Sequence, residues 1–151
     1  MSVQQGIFSA KLCEMDEQYE RFQARLMTCQ QMEHEAIRRE CGYMARECRE
    51  SEYILAQSMK GCRSRAVRRL ADIQLEYMKK ADDILENDMA EDMSDIADRA
   101  ERRAEASTLY AEFSMDFAVQ AMRHAMRAAL TAIDAQMDCD EKRSPQGGGN
   151  P

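Results

Sequence analysis

The residues with the most distinctive chemistry in this 151-residue chain are six cysteines, thirteen methionines and two histidines, all soft or borderline metal ligands. Cys13, Cys41, Cys48 and Cys62 differ by multiples of seven, and Met27 and His34 fall at the same heptad position. On a straight helix a seven-residue step is about 10 Å along the axis. Neighbours on that line are too far apart to share an ion at thiolate bond lengths of about 2.3 Å. No Cys-x-x-Cys or Cys-x-x-x-Cys pair closes the gap, and beyond Cys62 only Cys139 remains. Met89 and Met93, and Met122 and Met126 with His124 beside them, are pairs at i,i+4 spacing. Copper or zinc binding by Cys, Met and His is therefore the alternative reading. Cysteine as a small hydrophobe and methionine as adaptable packing is the preferred one.

Carboxylates offer less. Asp88, Asp92 and Asp95 share one helical face, as do Glu91, Asp95 and Asp98. A di-iron bundle would need Glu-x-x-His, but Gln31 and Ala121 stand three residues before His34 and His124. The EF-hand loop pattern is missing as well. With no glycine-rich phosphate loop, no nucleophile elbow and no Ser-His-Asp set, no enzymatic role and no cofactor are expected.

Charge is the second unusual feature. Residues 60–80 hold seven bases, five of them Lys60, Arg63, Arg65, Arg68 and Arg69, against only Asp72 and Glu76. Residues 81–98 hold eight acids and no base. Much of the acidic run suits the start of a helix, where the macrodipole favours negative charge. A sharper reading is complementary charge between neighbouring helices or protomers that fixes their register. The 60–69 cluster as an anionic-surface binder is a second alternative. It is weakened by the acids next door and by the lack of interleaved aromatics. A net charge of −7 makes nucleic acid an unexpected partner.

The elements that position these residues are helices. Aromatics make up 6% of the chain, Trp is absent, and both prolines lie in the last seven residues. Ala, Met, Glu, Arg, Gln and Leu dominate, which favours helix over strand. The sequence predicts an all-α protein of three to four long helices, as an elongated helical bundle or an antiparallel coiled-coil hairpin. It is read as a single helical domain over 1–140 followed by a disordered tail at 141–151, where Ser-Pro and Gly-Gly-Gly occur.

The first helix is expected over about 7–60 on the row Phe8, Leu12, Met15, Tyr19, Phe22, Leu26 and Cys29, with a kink or short break conceivable at Gly42. Gly61 is the stronger break candidate, with Ser64 placed to cap a helix from Arg65, although the hairpin alternative runs on through Gly61. That helix, over about 64–86, carries Val67, Leu70, Ile73, Tyr77, Ala81 and Ile84. A turn is expected at Asn87 and Asp88, with Asp88 and Glu91 at capping-box spacing. The last helix then spans about 89–137.

That last helix organises the chain. One apolar row is Met115, Val119, Met122, Met126, Leu130, Ile133 and Met137, and a second is Phe113, Phe117, Ala121, Ala125, Ala128 and Ala132. Two rows predict cover on two sides, one row packing within the chain and the other meeting a partner. Met115, Met122, Met126, Ile133 and Met137 are the expected contact row, since Met-rich surfaces adapt to their partners.

The functional expectation is a non-enzymatic helical scaffold or assembly protein that binds itself or a protein partner's helices. No run of about 18 apolar residues is present to span a membrane. The N-terminus lacks a basic stretch followed by an apolar core, so no secretory signal is expected. An intracellular, cytoplasmic location with reduced thiols follows as an expectation.

Overall fold

The computed structural model describes residues 3–144, and the side chains of all of these except 3–5 and 90. The fold is all-α. Its elements are α1 (Val3–Cys29), α2 (His34–Lys60), α3 (Arg65–Asp83), a π-helical segment (Ile84–Asp88), α4 (Met89–Asp92) and α5 (Arg99–Arg143). No helix is long and apolar enough to cross a membrane among the described residues.

The expected helix over 7–60 is two helices, and the break is not at Gly42. It falls at residues 30–33, where Gln31 N–H donates to Thr28 O and Met32 N–H to Cys29 O, closing tight turns. The physical reason lies in the apolar row, which lapses between Cys29 and Ala36 except for Met32. Without a buried face, the helix there has only its own propensity to hold it. Gly42 sits inside α2.

The break after α2 falls where glycine and serine place it. Gly61 is the C-cap, and its N–H donates to Met59 O. Ser64 is the N-cap of α3, and its hydroxyl oxygen accepts from Val67 N–H at 3.3 Å.

The turn expected at Asn87 and Asp88 is absent. α3 passes through the π segment into α4 as one helical run, and among the described residues no non-glycine residue has a positive φ. Asn87 therefore makes no left-handed cap. The reversal comes at 93–98, and Asp98 caps α5 by accepting from Glu101 N–H at 2.8 Å. Of the two Asp-x-x-Glu spacings that flank this turn, at 88–91 and 98–101, only the second starts a helix of any length. The Arg102 guanidinium ties the turn down, donating to Ile96 O at 3.0 Å from Nε and 2.7 Å from Nη2.

The last helix thus runs over Arg99–Arg143 rather than 89–137. Residues 141–143 of the expected tail are helical, and residues 145–151 lie outside the described residues. Thr108 lies within the helix, its hydroxyl donating back to Ala104 O at 2.9 Å.

The chain divides into two units. One joins Met1–Arg25 with Phe113–Pro151, and the other is Leu26–Glu112. In the second, α2 and α3 pack against each other across the Gly61–Ser64 turn. Tyr110 Oη of α5 donates to Asp82 Oδ1 of α3 at 3.3 Å. Burial is sparse: among the described residues only Ala71 and Ala106 are buried.

Candidate protein-interaction surface

In the unit of Met1–Arg25 with Phe113–Pro151, α5 contributes a broad apolar face. At about 100° per residue, the row from Met115 to Met137 and the row from Phe113 to Ala132 are the two flanks of that face. Between them lie Ala129, Gln136 and Cys139, and these three, with Ile133 of the first row, are half-buried. The start of α1 lies here, for Ile7 and Phe8 line a groove with Ala132, Ala135, Gln136 and Cys139. The cover ends near Ala129. From Phe117 to Ala128 every residue of the face is exposed.

The expected contact residues divide accordingly. Met115, Met122, Met126 and Met137 are 60%, 54%, 50% and 54% exposed, whereas Ile133 is half-buried. The opposite row is no better covered: Phe113 is 62% and Phe117 41% exposed, their rings stacked at 6.4 Å between centroids. The expectation that one row packs within the chain along its length is therefore corrected, because α1 reaches only the end of the face, at Ala132 of the second row, and both rows stay largely exposed. The α1 row is exposed as well, at Leu12, Met15, Tyr19 and Phe22.

The soft ligands do not gather. Cys13, Cys41 and Cys48 are exposed, Cys29, Cys62 and Cys139 are half-buried, and all six are free. The seven-residue line is cut by the turn at 30–33, which puts Cys13 on α1 and Cys41 and Cys48 on α2. Among the described residues no three His, Cys, Asp or Glu side chains are grouped to hold a metal ion. His124 lies on the surface of α5 beside Phe117, Gln120, Ala121, Arg123 and Arg127 in a shallow groove formed by that one helix.

In the other unit, α3 exposes apolar side chains of its own. Leu70 is 67% and Ile73 62% exposed, on the side away from the buried Ala71, and Ile84, at the start of the π segment, is 49% exposed. Lys60, Arg63, Arg65, Arg68 and Arg69 form no ion pair among the described residues. Farther along α3, Lys80 Nζ lies 2.8 Å from Glu76 Oε1. The hydrogen bond first, and the opposite charge second, hold the Glu76 carboxyl below its ordinary range and the Lys80 ammonium above its own.

Comparison with family models, curated proteins and solved structures finds no match to this chain. The class that the geometry defines is a helical protein whose apolar rows outrun the cover that its own helices provide.

Proposed function

We propose that the protein is a non-enzymatic helical assembly or scaffold protein, working through helix–helix contacts with itself or with a partner's helices. The observation that carries this reading is the exposed apolar face of α5 over residues 117–128. Monomeric proteins rarely leave a contiguous apolar surface of this kind open, and such surfaces mark interaction sites. Six free thiols suit a reducing, intracellular setting, which is part of the same proposal.

Magnitudes decide how wide the contact must be. Covering a half-exposed Met or Ile is worth roughly 1 kcal/mol. The row Met115, Met122, Met126, Ile133 and Met137 thus supplies roughly 5 kcal/mol, against an association cost of about 4–15 kcal/mol. That row alone meets only the low end of this cost. The contact must take in the Phe113 and Phe117 flank or the α1 row too.

Sedimentation equilibrium of the full chain tests the reading, with Met122→Glu and Met126→Glu combined in one variant. Self-association, or capture of a partner helix, that weakens at least tenfold in the variant is the expected outcome. A chain that stays monomeric at high micromolar concentration and binds no helical partner refutes it.

A further inference from the structure

The exposed side of α3, continued by Ile84 of the π segment, carries a regular row of side chains. Ala66, Leu70, Ile73, Tyr77, Lys80 and Ile84 follow one another at spacings of 4, 3, 4, 3 and 4, the seam of a coiled coil. Ala71, the buried residue of α3, lies off that seam. The bases of 60–69 sit at one end of the seam and the acids from Asp82 onward at the other. An identical helix laid parallel would bring like charges together at both ends. Laid antiparallel, it would bring opposite charges together at both.

We propose that α3 is a homotypic docking seam on which a second copy of this chain lies antiparallel, related by a twofold axis at the level of Leu75. This rests on the assembly reading and names one partner and one surface for it.

The register follows from the seam. Ile73 of one copy packs against Tyr77 of the other, Leu70 against the Lys80 stem, and Ala66 against Ile84. Each layer occurs twice by symmetry. The flanking positions are Arg69, Glu76 and Asp83, so Arg69 of each copy faces Asp83 of the other. Glu76 faces its own counterpart near the axis, where the Lys80 of each chain, 2.8 Å away, offsets the repulsion. A lone cation at a seam position penalises other registers and fixes this one. Arg69, Asp83 and Ile73 are all exposed in the single chain, so changing them leaves its own packing alone.

The test is a charge exchange in the full chain, read by sedimentation velocity at low ionic strength. Wild type is expected to form a dimer that weakens as salt is added. Arg69→Asp alone and Asp83→Arg alone each set like charges opposite at two symmetry-related places. Each should weaken the dimer about tenfold or more. An equimolar mixture of the two should restore it, and so should the double variant R69D/D83R, in which the pairs re-form with reversed sign. Ile73→Asp should abolish it. If the single variants dimerise like wild type, or if neither the mixture nor the double variant recovers, the α3 seam is overturned. M122E/M126E separates this proposal from the broader one. If that variant turns monomeric while the α3 variants still associate, the α5 face assembles the protein and the α3 seam is wrong. If wild type is monomeric and binds no partner helix, both fail.

Discussion

At the scale of single residues the firmest features are two caps of different strength. Ser64 accepts from Val67 N–H at 3.3 Å, and Asp98 accepts from Glu101 N–H at 2.8 Å. The second bond is shorter, its acceptor is ionised, and its charge lies at the positive end of the α5 dipole. Ser64→Ala should therefore cost about 0.5–1 kcal/mol and Asp98→Ala about 1–2 kcal/mol, measured by urea denaturation. The opposite ranking would mean that the Ser64 turn carries packing beyond its cap. Ser64 was legible in the sequence because glycine precedes it by three residues and an amphipathic run follows. Asp98 was not, because Asp88 shows the same Asp-x-x-Glu spacing ten residues earlier. Local chemistry alone does not choose between two equal caps. Here the choice follows the chain path, which stays helical through Asp88 and turns after Asp92.

At the scale of elements, helix content was readable from composition, but the breaks without glycine were not. The turn at 30–33 contains neither Gly nor Pro, and Glu33 makes no side-chain cap. Its one trace is the thinning of the apolar row between Cys29 and Ala36, a weak signal beside the conspicuous Gly42. The π segment at Ile84–Asp88 likewise has no marker of its own. It lets the helix run on past a sequence that looks like a cap, while shifting the phase of every residue after it. Gly42 is thus an interior helical glycine with no turn to make. A Cβ built there meets nothing within 4 Å. Gly42→Ala should raise stability by up to about 1 kcal/mol, because the unfolded chain loses freedom that the helix never used. Thermal or denaturant unfolding checks this, and a loss of stability would show that α2 needs a kink at this point.

At the scale of the whole molecule, the amphipathic rows were legible and their partners were not. A row states that a face must be covered, and the sequence does not state by which chain. The two buried residues among those described are alanines, the smallest apolar side chains. Ordering a backbone costs about 1–2 kcal/mol per residue, and apolar burial is the main term that offsets it. Phe, Leu, Ile and Met side chains left half-exposed contribute only part of what they would yield in a core. The remainder becomes available when copies or partners meet, so folding and association should be coupled. Stability would then follow mass action. A hundredfold rise in protein concentration adds about 2.7 kcal/mol to a complex that forms only from folded chains. For a chain of this size that corresponds to a rise in Tm of roughly 5–10 °C. Calorimetry from a few micromolar to a few hundred micromolar should show that rise in wild type, and a smaller one in Ile73→Asp or in M122E/M126E. A Tm constant across the range would show that the single chain holds its helices without help, and the exposed rows would then have to serve a partner that stability does not require.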